Sequence, residues 1–206
     1  MPLRAAPTAR PARGFAFMST RTTDTGLAPV FLDRWSPRAF DGSAMPEGDL
    51  ATILDAARFA PSASNYQPWR FLFAHRGDAN WDRFLSFLVP FNQDWAKTAS
   101  VLVYVISEKV MGDRPSYTHS FDAGAAWGMM AIQATMLGYY THGMAGVDFA
   151  AAADSLGVPD SFRMECAVAI GRMGDPAALP EALQAREFPS DRKPLEDIAT
   201  PGNFGG

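Results

Sequence analysis

Residues 60–69 read APSASNYQPW and lie between a predicted helix and a strand-like run at residues 71–73. The stretch concentrates hydroxyl and amide side chains, and its two prolines, Pro61 and Pro68, restrict the backbone. A stiff loop of this kind holds several hydrogen-bond donors and acceptors at fixed angles. The residues alone support two interpretations equally: a well-formed turn between a helix and a strand, or the polar part of a binding site.

The overall composition is that of one globular domain. The chain has 206 residues, of which 48% are hydrophobic, so it is long enough to bury a sizeable core. None of its apolar runs reaches the roughly 18 residues of a membrane span. The net charge of -4 argues against a nucleic-acid partner. The lone Cys166 and three scattered histidines give neither a disulfide nor a metal-ligand spacing. We therefore expect a cytoplasmic protein with no bound metal that binds neither nucleic acid nor a membrane.

Residues 1–27 differ in composition from the rest of the chain. They contain three prolines, several arginines and a Ser/Thr-rich patch, with no acidic residue before Asp24. They lack the continuous apolar segment of a secretory signal peptide. The arginine content is similar to that of organelle-targeting peptides, but a flexible extension or a misassigned start codon is favoured. We expect a flexible extension over residues 1–27 and a single domain over residues 28–206.

Helical and strand-like patterns alternate irregularly, which favours an α+β fold. Apolar residues at helical spacing and capping signals predict helices at residues 46–60, 81–88, 94–99, 121–137, 148–156 and 179–185. Apolar runs predict strands at residues 71–74, 101–106 and 164–170. The second of these strands is apolar on both faces and is expected at the centre of the sheet. Pro90 is expected to end a helix, and residues 107–118 to form a surface loop. Because no Gly-x-Gly-x-x-Gly or P-loop pattern is present, a nicotinamide nucleotide is expected only as a transient substrate.

Two arginines and a serine alternate just before the first long helix. Arg34, Ser36 and Arg38 share one face if this stretch is extended. That face suits a phosphate, because one guanidinium group can bind two phosphate oxygens at once and a serine hydroxyl adds a further donor. For this short pattern alone, a solvated arginine pair anchored by neighbouring aromatic rings is the favoured interpretation. Near the other end of the chain, adjacent Arg192 and Lys193 form a second basic pair with no distinctive pattern of its own.

Small residues mark two further places in the chain. The helix at residues 121–137 is rich in glycine and alanine, so we expect it at the centre of the fold with one face in a subunit interface. A purely intrachain core helix is the alternative. Residues 143–146 then read Gly-Met-Ala-Gly, and the small residues Gly143, Ala145 and Gly146 allow the backbone to lie against a flat ligand. His142 is expected to be structural or to lie at the rim of a pocket.

The motif Pro-Ser-x-x-Asn-x-Gln-Pro-Trp at residues 61–69 resembles the flavin-contacting loop of the FMN-dependent nitroreductase family. The Arg-x-Ser-x-Arg motif at residues 34–38, the small-residue turn at residues 143–146 and the late basic pair resemble further parts of that family's flavin site, in the same order. The resemblance implies a nitroreductase-like α+β fold with a central, mostly antiparallel sheet flanked by helices. It also implies an intertwined homodimer with flavin sites at the subunit interface.

The resemblance further implies a set of cofactor contacts. Arg34 and Arg192 resemble phosphate ligands, and Arg38 resembles a basic residue near the flavin N1/O2 edge, where a cation stabilises the reduced ring. The residues implied to bind FMN are Arg34, Ser36, Arg38, Pro61, Ser62, Ser64, Asn65, Gln67, Met144, Ala145, Gly146, Arg192 and Lys193. No catalytic side chain is implied.

The activity implied is that of an FMN-dependent NAD(P)H oxidoreductase with a ping-pong mechanism. NAD(P)H is the transient hydride donor, and an electron-poor acceptor such as a nitroaromatic or a quinone then takes its place. The alternative from a different class is a non-enzymatic flavoprotein that stores FMN or senses redox state. The sequence does not distinguish NADH from NADPH, and it identifies neither the acceptor nor the segment that covers it.

Overall fold

The computed structural model describes residues 21–204, which are built on a sheet between two groups of helices. The strands are β1 (Trp69–His75), β2 (Val101–Glu108), β3 (Val110–Met111), β4 (Arg114–Pro115), β5 (Tyr140–Met144) and β6 (Phe162–Gly171). The helices are α1 (Pro29–Asp33), α2 (Glu47–Arg58), α3 (Trp81–Ser86), α4 (Pro90–Ala96), α5 (His119–Met136), α6 (Phe149–Ser155) and α7 (Glu181–Gln184). Residues 21–27 carry no helix or strand, and the rest of the expected extension lies outside the described residues.

The main sheet has the order β1-β2-β6-β5, and every neighbouring pair is antiparallel. The prediction of a central strand is confirmed, because the first five residues of β2 are at most 1% exposed. Successive side chains of a strand point to opposite faces. Val101, Val103 and Val105 therefore pack with α2 and α5. Leu102 and Tyr104 pack with α3, α4 and α6 on the other face. The α+β prediction is confirmed by this layered arrangement.

Two local predictions were wrong, and both have a physical reason. Pro90 does not end a helix but is the first residue of α4, where its fixed φ fits the first turn and its missing N–H is not needed. The segment at residues 107–118 is not wholly a loop. Ser107 pairs with Trp69, so β2 continues to Glu108 before the β3–β4 hairpin.

Within residues 21–204, no helix is long and apolar enough to cross a membrane. In the same range, no group of three His, Cys, Asp or Glu side chains is arranged to hold a metal ion.

Candidate functional site

Arginines from three separate parts of the chain meet in one cavity of about 350 Å³. The lining includes Arg34, Ser36 and Arg38, which follow α1, together with Arg192 from the C-terminal segment. The structure therefore brings Arg192 together with three side chains that lie more than 150 positions earlier in the chain. Further lining residues are Arg21, Trp35, His142, Arg186, Phe188 and Ser190. Lys193 is exposed and does not line the cavity.

The positive charges of this arginine pocket are poorly compensated. Among residues 21–204, no carboxylate lies within salt-bridge distance of Arg34, Arg38 or Arg192. Partial burial and the charge of Arg192 both lower the pKa of Arg34. The pKa of Arg38 is also lowered, mainly by burial, although Glu187 opposes the effect. Its buried Nε has no hydrogen-bond partner within the part of the chain that the structure describes. A pocket of this kind favours an anion, because an anion would satisfy donors that the protein leaves unpaired.

Glu187 was missed by the sequence analysis, and it holds the Arg38 backbone in place. Its Oε1 accepts hydrogen bonds from the backbone N–H groups of Arg38 at 2.6 Å and of Ala39 at 2.8 Å. The contact joins positions 149 residues apart, so no local pattern indicates it. The other oxygen of Glu187, Oε2, is buried and has no hydrogen-bond partner among residues 21–204.

His142 has the rim position expected from the sequence. Its Nδ1 lies 3.0 Å from the carbonyl oxygen of Pro37, and its ring centroid lies 4.7 Å from that of Trp95. A carbonyl only accepts hydrogen bonds, so Nδ1 carries the proton and donates it. Burial lowers the pKa of His142 to about 4, with Arg38 as a further cause, so the ring is neutral at pH 7. His142 therefore tethers the Ser36–Arg38 stretch to β5 without adding charge to the pocket.

The loop at residues 61–67 is strained and does not reach this pocket. Ser64, Asn65 and Gln67 have φ angles of 51°, 52° and 56°, which residues other than glycine rarely adopt. The Ser62 hydroxyl accepts a hydrogen bond from the Gln67 N–H at 3.0 Å. Asp122 on α5 accepts another from the N–H of Ala63 at 3.2 Å. The first bond closes the loop on itself, and the second holds it against α5.

The loop and the arginine pocket lie at opposite ends of the sheet. Trp69, directly after the loop, pairs with Ser107 at one end of β2, whereas Val101 at the other end pairs with Ile170. Six residues of β2 correspond to about 20 Å. The pocket is next to the second end, because Phe40 forms a bridge with Met173 just beyond β6. Within one chain, residues 61–67 and Arg34 therefore do not line the same pocket.

The structure corrects the reason given for Gly146. A Cβ atom at this position would lie 2.5 Å from Nδ2 of Asn92 and 2.8 Å from Cγ2 of Val89. The Gly146 carbonyl also accepts hydrogen bonds from the Val89 N–H at 3.0 Å and from Asn92 Nδ2 at 3.2 Å. On this side the glycine makes room for α4, and a Cβ at Gly143 would likewise lie 3.0 Å from the Trp127 ring. We expected both glycines to leave the backbone open to a flat ligand. On the side that a Cβ would occupy this expectation is wrong, because side chains of the protein fill the space.

The remaining residues of the turn also lie outside the arginine pocket. Met144 is buried and pairs with Ala167, and Ala145 is exposed and lines a second cavity beside Glu165. Asn92 is a residue that the sequence analysis missed. No local signal separates it from Gln93 and Asp94, the polar residues that follow it in α4.

Comparisons with known proteins agree with this fold. The model of the nitroreductase family matches residues 32–88, which include both the Arg-x-Ser-x-Arg motif and the strained loop. A crystal structure of an oxidoreductase containing FMN is 51% identical, with a TM-score of 0.89, over 91% of this chain and 98% of that one. An uncharacterized 15.4 kDa protein of Mycolicibacterium smegmatis is 35% identical over 144 residues, which are 66% of this chain and 97% of the relative.

More distant structures show the shared fold alone. A Desulfovibrio desulfuricans protein solved in complex with FMN is 22% identical with a TM-score of 0.70, over 88% of this chain and 99% of that one. A nitroreductase family protein of Clostridium difficile 630 is 20% identical with a TM-score of 0.65, over 83% and 95% of the two chains. Three findings agree: the antiparallel sheet, the order of the motifs, and 51% identity over almost the whole of a solved relative. This chain belongs to the nitroreductase family.

Proposed function

We propose that the arginine pocket holds the phosphate of FMN and that the protein is an FMN-dependent NAD(P)H oxidoreductase. One observation carries the proposal: Arg34, Arg38 and Arg192 meet around a cavity, and no carboxylate of residues 21–204 lies within salt-bridge distance of them. A phosphate monoester supplies close to two negative charges and several acceptor oxygens at pH 7. The relative that is 51% identical contains FMN, which supports the same assignment.

Each residue of the pocket has a distinct part in this proposal. Arg34 and Arg192 bind the phosphate, and the Ser36 hydroxyl adds a donor beside them. The backbone at Arg38 is held by Glu187 and by the His142–Pro37 tether, and the proposal assigns the Arg38 guanidinium to the flavin edge. Lys193, being exposed, contributes charge at longer range rather than a direct contact.

The second part of the flavin site comes, in this proposal, from another copy of the chain. Ser62, Ser64, Asn65 and Gln67, with Pro61, lie at the opposite end of the sheet from the pocket, which supports taking the two parts of one flavin site from two chains. The outward face of α5 suits a homodimer interface. Its Phe121 and Met136 side chains are 80% and 66% exposed, and a Cβ at Gly124 or Gly128 would meet nothing within 4 Å.

Bound FMN would supply hydride transfer from NAD(P)H to a nitroaromatic, quinone or similar electron-poor acceptor in a ping-pong sequence. The residues of the chain bind and orient the cofactor, and the Arg38 cation stabilises negative charge near the flavin edge. Ala145 and Gly146 contribute backbone groups near N5 in this proposal, with Gly146 held by Asn92 and Val89 and with Met144 beside them at the end of β5. We also propose a cytoplasmic location, where NAD(P)H is available and the lone Cys166 stays reduced.

The test is the visible absorption spectrum of the full chain loaded with FMN, recorded anaerobically before and after addition of NADPH, and again with NADH. The proposal predicts that at least one donor bleaches the bound flavin and that a quinone or a nitroaromatic restores the colour. Free FMN at the same concentration is the control for direct chemical reduction. Bound flavin that neither donor reduces would instead favour storage of FMN or redox sensing, and failure to bind FMN would contradict the proposal.

A further inference from the structure

The chain segment before α1 reaches into the arginine pocket through Arg21. Its Nε donates a hydrogen bond to the carbonyl of Ser190 at 2.9 Å. Its Nη1 donates to the carbonyls of Arg34 at 2.9 Å and Leu32 at 3.4 Å. Arg21 thus joins the stretch after α1 to the C-terminal segment that carries Arg192. The sequence analysis had assigned it to a flexible extension, and the nitroreductase family model begins only at residue 32.

Arg21 lies close to other positive charges of the pocket. The largest cause that lowers its pKa is burial, and the charges of Arg192 and Arg34 lower it further, whereas Asp191 opposes them. The three carbonyl oxygens fix the guanidinium but do not neutralise it. The charges of Arg34 and Arg192 therefore act on Arg21 within one cavity. An anion bound in this cavity would be attracted by all three guanidinium groups.

The number of arginines exceeds what the family motifs account for. Arg34 and Arg38 lie in the region that the family model matches, and Arg192 was assigned by resemblance to the family's late basic residue. Arg21 and Arg186 line the same cavity without either assignment. Arg186 precedes Glu187 in the chain, and the charges of both residues act on Arg38. Arg21 instead faces Arg34 and Arg192, the two side chains assigned to the phosphate. Its charge is thus added at the phosphate end of the pocket.

We propose that Arg21 is an anion-binding residue of this site, that it contacts the phosphoryl group of the flavin nucleotide, and that it favours FMN over unphosphorylated riboflavin. This inference rests on the proposed function and extends it to a segment outside the matched family region. The competing explanation is purely structural: Arg21 would only tie the segment before α1 to Ser190 and Arg34.

The test compares Arg21→Ala and Arg21→Lys with the unchanged full chain. Arg83→Ala is the matched control, because Arg83 is an exposed arginine on α3 that bonds to Asn80, far from the pocket. The dissociation constants of FMN and of riboflavin are measured by fluorescence titration. Loss of one charge-assisted contact predicts that Arg21→Ala weakens FMN binding roughly 10- to 100-fold. Riboflavin binding should change less than about 2-fold, because it has no phosphate for Arg21 to contact. Arg21→Lys should lie between, and Arg83→Ala should match the unchanged chain.

Equal weakening for FMN and riboflavin would overturn the inference, because it is what a structural tie predicts. Unchanged FMN binding in Arg21→Ala would overturn it as well. If the unchanged chain binds no FMN, the proposed function fails, and inorganic phosphate then decides the role of Arg21. In that case, a rise in melting temperature with phosphate that is lost in Arg21→Ala supports anion binding. An equal rise in both proteins, or none in either, overturns it.

Discussion

Replacing Arg34 with methionine should have opposite effects on cofactor binding and on the stability of the ligand-free protein. Methionine keeps much of the apolar stem and removes the guanidinium. In the ligand-free protein this charge is partly buried, is repelled by Arg192 and has no carboxylate partner among the described residues. The lowered pKa of Arg34 means that the folded state disfavours its charged form. Removing the charge should therefore not cost stability.

The two effects differ in size as well as in sign. Each charge-assisted hydrogen bond to a phosphate contributes about 1.5–3 kcal/mol. Loss of one or two of them predicts FMN binding weaker by about 3 kcal/mol, or roughly 100-fold. The free energy of unfolding without ligand should stay the same or rise by up to about 1 kcal/mol, because solvent screens part of the repulsion.

Fluorescence titration with FMN and urea unfolding of the ligand-free chain measure the two quantities separately. Arg83→Met, on the exposed face of α3, is the control for loss of any arginine. An Arg34→Met protein that binds FMN as tightly as the unchanged chain would refute the phosphate assignment. One that loses more than about 1 kcal/mol of ligand-free stability would refute the claim that this charge is uncompensated.

Three further predictions concern the loop, the turn and pH. Ser64→Gly should raise the free energy of unfolding by roughly 0.5–1 kcal/mol, because glycine accepts a φ of 51° without strain; a lower urea midpoint would count against this. Gly146→Val should destabilise even the ligand-free chain by about 2 kcal/mol or more, because Asn92 fills the space, whereas Gly124→Ala should not; equal midpoints would contradict the packing account. The pKa of His142 is about 4 in the folded chain against 6.5 for a free side chain, so the unfolded chain binds this proton first as the pH falls. The free energy of unfolding should therefore decrease as the pH falls from 6.5 to about 4, and His142→Gln should make that decrease smaller. An unchanged dependence on pH would show that His142 is not the group responsible.

The sequence predicted the elements of this fold better than it predicted the contacts between them. Leu50, Ile53 and Ala57 recur at helical spacing and are fully buried on α2, as their pattern indicates. Asp148 caps α6 through the N–H of Ala151, again as a local signal predicts. Pro90 failed because a proline fits both after a helix and in its first turn, and only tertiary packing decides between them.

The site shows where local patterns stop being informative. Arg34 and Arg38 were identified because they alternate in an extended stretch next to a recognisable motif. Arg21 and Glu187 were not, because their contacts join positions 169 and 149 residues apart. The role of Gly146 was misread for a similar reason. A glycine that makes room for Asn92 and one that makes room for a ligand look the same in a sequence.

The central claim is that one flavin site needs the arginine pocket of one chain and the strained loop of another. The most direct test mixes two variants, Arg34→Met and Asn65→Gly, that should each bind FMN weakly on their own. In a mixed dimer, one site carries both changes and the other carries neither. Tight FMN binding should therefore return in roughly a quarter of all sites after random subunit exchange. If mixing restores no tight binding, the two parts belong to the same chain's site or to no shared site, and the account is contradicted.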